Sequence, residues 1–104
     1  MLKPRDVILA KVQFTDINEI KIRPCVILFE DCNNIVIAGI TSNTNMKGIS
    51  LTTKDGAIKN SVIKTNYIFT ISNIMIEKYL FSLTSQKKKE LFNDLKNKLK
   101  DLNN

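Results

Sequence analysis

Short apolar runs of strand length, the first of them alternating with a period of two, fill most of residues 5–83, and turn-forming clusters separate these runs. Beyond residue 84 the apolar spacing changes to steps of three and four. These observations predict a mainly β domain of about five to seven short strands, a small barrel or strongly bent sheet, closed by one C-terminal helix. With 104 residues and 11.9 kDa, residues 1–104 can build a single domain around a single core.

The first strand runs from Val7 to Phe14. Ile8, Ala10, Val12 and Phe14 form its apolar face, and Lys11 and Gln13 point away. "FTDINEIKIRP" reads as a polar, charged loop. "CVILFE" is apolar on both faces, which predicts a central strand or one covered outside by a second subunit. "EDCNN" carries turn chemistry and "IVIAGIT" returns as the third strand. After a loop at "SNTNMKG", "ISLTT" is a short strand, "KDGAIKN" a turn, and "SVIKTNYIFTI" one or two further strands. Ser72 and Asn73 can cap a single helical turn before "IEKYLFSL" closes the sheet. In "TSQKKKELFNDLKNKLKDL", Leu91, Phe92, Leu95, Leu99 and Leu102 make the stripe of an amphipathic helix over about 84–102. Thr84 or Ser85 is placed to cap it. Tyr67, Phe69 and Tyr79 are expected in the core, and Lys87 to Lys89 on a solvated helix start.

Composition excludes several classes. An apolar fraction of 43% with 25% charged residues is that of a globular chain. No apolar run approaches the roughly 20 residues of a membrane span, so no membrane partner is expected. "MLKPRDVILAKV" reads as a strand, not a secretory signal, because its apolar stretch is short and broken by Lys11. Cys25 and Cys32 fall at opposite ends of one strand, roughly 20 Å apart and beyond disulfide reach. They lack the paired spacing of a zinc site, and two free thiols fit a reducing cytoplasm. There is no histidine, which rules out histidine acid–base catalysis and histidine metal ligands. The net charge of +6 suggests a polyanionic partner only weakly. Residues 84–104 carry six Lys and three acidic residues, a net +3, where a solvated helix face is explanation enough.

"RDVILAKVQFTD", "KIRPCVILFE", "IVIAGITSN" and "KNSVIKTNYIFTI" resemble, in order and spacing, the MazF/PemK family of toxins from toxin–antitoxin pairs. The likeness covers about residues 5–83, and the terminal helix also fits it. The Arg-Pro at the second strand and the Ile-Thr-Ser ending the third are its most specific pieces. The resemblance implies an SH3-like small β-barrel acting as a homodimer, which cleaves single-stranded RNA (often mRNA) without a metal or other cofactor. It also implies a cognate antitoxin that binds across the dimer. The family's catalytic arginine falls on Arg23 and its catalytic threonine on Thr41. Thr15, Glu19, Lys21, Ser42, Lys64 and Asn66 are expected to bind substrate. A loop glutamate of some members corresponds to Asn18, one residue before Glu19. The Arg and Asp of one branch correspond to Lys64 and Asn66, and Arg5 and Phe81 stand where glycine is frequent.

The chemistry suits these residue types. Metal-free RNA cleavage uses the 2′-hydroxyl as nucleophile and leaves a 2′,3′-cyclic phosphate and a 5′-hydroxyl. Arg23 offers a planar, permanently charged fork to phosphate oxygens. Pro24 restricts Arg23 to extended geometry, so the guanidinium should project from a rigid strand. Thr41 and Ser42 add short hydroxyl donors. Asp16 and Glu19 are the carboxylates nearest in sequence, and the choice of general base stays open between them and other groups.

Overall fold

The computed structural model describes residues 2–13 and 19–104. Phe14, Thr15, Asp16 and Asn18, each assigned a place or role above, lie outside the described residues. Six strands form one antiparallel sheet: β1 Asp6–Gln13, β2 Ile20–Asp31, β3 Asn34–Thr41, β4 Ile49–Leu51, β5 Ser61–Ser72 and β6 Ile76–Ser82. Their order is β4-β5-β3-β2-β1-β6, and the sheet curls into a half-barrel with the helix α1, Ser85–Leu99, behind it.

β1 has the alternation its sequence predicts: Ile8, Ala10 and Val12 are buried, while Lys11 and Gln13 are exposed. β2 lies between β1 and β3, which explains its doubly apolar segment. Cys25 and Ile27 enter one core cluster with Ile8, Ile37 and Ile71. Val26 enters the other with Val7, Ala38, Ile63 and Leu91 of α1. Burying a side chain as fully as Ile8 or Ile37 contributes about 1.5–3 kcal/mol.

β2 begins earlier than the sequence suggests. Ile20–Pro24, read as loop, is strand and pairs with β1 from Gln13↔Ile20 to Leu9↔Pro24. Pairing of β2 with β3 starts only at Cys25↔Gly39. The Lys21–Pro24 stretch is therefore an overhang bonded on one side. There charges stay solvated and a proline without an N–H is tolerated. At the other end, Cys32 and Asn33 adopt positive φ (51° and 68°) and close the β2–β3 hairpin as a primed turn.

β5 is one strand, but its register with β3 slips between Ala38↔Ile68 and Gly39↔Lys64. Thr65, Asn66 and Tyr67 are the surplus residues, an irregular three-residue β-bulge of the kind that turns side chains toward functional surfaces. A 3₁₀ turn follows at Asn73–Met75, though Ser72 makes no side-chain cap there. Thr84 does cap α1, its hydroxyl accepting from the Lys87 N–H at 3.2 Å. The helical stripe is only half used: Leu91 is buried, whereas Phe92 and Leu99 are exposed. Leu102 is exposed in the 3₁₀ turn after α1. Arg5 takes φ +83°, a conformation that suits glycine, while its N–H donates to the Ile27 carbonyl at 2.9 Å.

Candidate active site

A cleft of about 250 Å³ opens where the β2 overhang, the end of β3 and the β5 bulge meet. Arg23, Thr41, Ser42 and Lys64 all line it, around a floor of Pro24, Gly39, Tyr67 and Phe69. Each reaches it for a local reason. The β2–β3 pairs keep a constant register sum from Cys25↔Gly39 to Ile27↔Ile37, and extending it by two residues sets Arg23 level with Thr41. β3 then leaves the sheet at Thr41, its last pair being with Val62 of β5. The Asn43 N–H donates to Thr41 Oγ1 at 3.1 Å, and the Asn45 N–H to Asn43 Oδ1 at 3.1 Å. These turns start the β3–β4 loop and leave the Thr41 hydroxyl proton free to donate into the cleft.

Charge in the cleft is one-sided. Arg23 is exposed, and among the described residues its guanidinium donates only to the adjacent Ile22 carbonyl, at 3.4 Å. Lys64 is 7% exposed, and its ammonium stands 5.0 Å from the centroid of the Tyr67 ring. That cation–π contact offsets part of the cost of holding the charge away from water. No carboxylate is found among the described lining residues. The arrangement can therefore bind an anion through a guanidinium, an ammonium and two hydroxyls. Cys25 also borders the cleft, but burial pushes its thiol up to about 12, so it stays protonated and is no nucleophile.

Several expected residues lie elsewhere. Glu19 and Lys21 line no part of the cleft and pair with each other at 3.9 Å. Asn66 opens on a neighbouring cleft, which it shares with Lys64. Tyr67 and Phe69, expected in the core, form the cleft wall, and Tyr79 is exposed at 51%. The bulge turns Tyr67 outward, which periodicity alone could not reveal. Gly39 was also overlooked. A Cβ there would touch the Tyr67 Cβ at 3.6 Å and Phe69 Cε2 at 3.9 Å, so glycine keeps the floor open. A glycine inside an otherwise apolar strand was the available signal.

Known proteins share this architecture. The Mycobacterium tuberculosis toxin MazF-mt6 superposes with a TM-score of 0.73 at 20% identity, covering 89% of this chain and 94% of that one. An endoribonuclease from a mycobacterial species, solved with its cognate antitoxin, gives 0.73 at 14% identity over 94% and 92%. The MazE–MazF complex of Deinococcus radiodurans gives 0.70 at 16% identity over 94% of each. No curated protein matches in sequence. At these identities the likeness speaks for the fold. The family model of PemK-like, MazF-like toxins, however, matches residues 3–100 directly. The chain thus belongs to the PemK-like, MazF-like toxins of type II toxin–antitoxin systems.

Proposed function

We propose that this protein is a metal-independent endoribonuclease toxin of the cytoplasm that cleaves single-stranded RNA. The convergence of Arg23, Thr41, Ser42 and Lys64 on one cleft carries this reading. The 2′-oxygen attacks phosphorus, and the bond to the 5′-oxygen breaks, leaving a 2′,3′-cyclic phosphate and a 5′-hydroxyl. Arg23 and Lys64 stabilise the charge that accumulates on the phosphoryl oxygens, and the Thr41 hydroxyl donates a third hydrogen bond. Tyr67 and Phe69 offer ring faces to an unstacked base. Asp16 and Glu19 are the carboxylates to test as acceptors of the proton from the 2′-oxygen, and the departing 5′-oxygen takes up a proton from water.

Regulation follows from the family: a cognate antitoxin holds the toxin inactive. Pairing with a second copy is supported by an apolar groove of about 800 Å³ along α1, where Phe29, Ile68, Phe92 and Leu99 stand exposed. Light scattering at micromolar concentration should give twice 11.9 kDa.

A second reading, a catalytically idle relative that binds RNA or antitoxin only, is favoured by Asn66, which stands where one branch of the family has a carboxylate and opens on another cleft. Incubation with labelled RNA in EDTA separates the two. Fragments ending in cyclic phosphate support the nuclease; intact but retained RNA supports the binding module.

A further inference from the structure

Lys64 borders two clefts. The second, about 530 Å³, lies between the β3–β4 loop, the β5 bulge and α1. The loop that contributes Ser42 to the first cleft carries Lys47 to the second. Asn66, thrown outward by the bulge, and Lys98 from the last turn of α1 complete its polar wall. Among the described lining residues Asp94 is the single carboxylate, and it is already occupied. It accepts from the buried Thr65 hydroxyl and from Lys98 Nζ at 3.2 Å, and the Thr65 hydrogen bond is the main cause that keeps its pKa low. Three ammonium groups against one engaged carboxylate leave the cleft attractive to an anion.

We propose that this second cleft is a phosphodiester subsite that holds a neighbouring backbone phosphate of the RNA strand bound at Arg23 and Thr41. The inference rests on the nuclease reading above and extends it to a named surface. Lys47 and Lys98 supply charge, Asn66 a neutral donor, and Lys64 bridges the two phosphates from its buried position. The latch from Asp94 to Thr65 fixes the bulge against α1, so the spacing of the clefts is built into the fold. Such a subsite aligns the strand without reading its bases.

The test is binding of a 2′-O-methyl RNA strand, which has no nucleophilic hydroxyl, over a range of NaCl concentrations. Each phosphate neutralised on a single strand contributes about 0.7 to the slope of log affinity against log salt. Lys47→Ala/Lys98→Ala should lower that slope by about 0.7, for the one phosphate the two lysines share. Lys54→Ala/Lys89→Ala, which removes equal charge from exposed sites elsewhere, should lower it by about half as much or less. Matched melting curves show that both variants fold. An unchanged slope in the Lys47/Lys98 variant, or the same loss in both variants, overturns the subsite. Cleavage of ordinary RNA by the wild type is scored separately. If it fails while the slope falls as described, the nuclease reading is lost and the phosphate subsite stands.

Discussion

Arg23 of β2 and Thr41 of β3 sit at the same level of the sheet and line one cleft, although the ladder between their strands stops at Cys25↔Gly39. β2 runs on paired with β1 alone and β3 with β5 alone, so the two side chains face a common space.

Arg23→Ala should lower the cleavage rate by about 10²–10³, the loss typical of a single transition-state donor. Arg23 is exposed at a strand end, so urea midpoints should move little. Arg23→Lys should restore only part of the rate, because a point charge cannot make the two-pronged contact. Single-turnover kinetics on labelled RNA read both effects.

Thr41 accepts from the Asn43 N–H, and in the proposed reaction it also donates to substrate. Thr41→Ser keeps both and should stay within about tenfold of wild type. Thr41→Val loses both. It should fall well beyond tenfold and cost about 1 kcal/mol of stability for the broken turn, measured by denaturant unfolding.

The two glycines near the site should behave differently. Gly39→Val puts methyl groups into the cleft beside Tyr67 and Phe69, so KM for RNA should rise several-fold while the fold survives. Gly48→Ala is a packing failure instead. A Cβ there would lie 2.2 Å from the Ile63 carbonyl oxygen and 2.4 Å from Val62 Cγ1, and should cost at least about 2 kcal/mol.

The two thiols should separate under iodoacetamide at pH 8: exposed Cys32 is alkylated, and buried Cys25 reacts only on unfolding. Burial raises the Cys25 pKa from 9.0 to about 12, so the folded state holds this proton more tightly than the unfolded chain. Its contribution to stability is full below about 9 and declines as pH rises toward 12. Compared with Cys25→Ala, the wild-type urea midpoint should fall more steeply across that window.

Asp94 titrates with the opposite sign. The Thr65 hydroxyl, ahead of Lys98, lowers its pKa below 3.8, so the stabilisation is present above that value and is lost as pH falls through the lower folded one. Asp94→Asn should melt below wild type at pH 6, and the gap should narrow at pH 3.

The succession of strands along the chain, the hairpin at Cys32–Asn33 and the helix cap at Thr84 were legible because turn chemistry and period-two burial are local signals. Ile20–Pro24 was missed although Ile20 and Ile22 alternate with Lys21 and Arg23. Charged residues on a one-sided overhang look like a loop when neighbouring strands are not visible. Arg23, Thr41 and Ser42 could be singled out by family resemblance, and Lys64 likewise. A shared spot for Arg23 and the Thr41–Ser42 pair was expected with them, but the place of Tyr67 beside them was not. That depends on a three-residue slip between β3 and β5, which no spacing within either strand records. Glu19 illustrates the converse. Nearness to Arg23 in sequence suggested a shared site, yet four residues of extended chain span about 13 Å, and Glu19 pairs with Lys21 instead.

A double-variant cycle of Arg23→Ala and Thr41→Val, read as the single-turnover rate of RNA cleavage in EDTA, tests the shared phosphate most directly. If both side chains serve one phosphoryl group, the double variant should be scarcely slower than Arg23→Ala alone. Losses that multiply in full would show two independent sites and contradict the account.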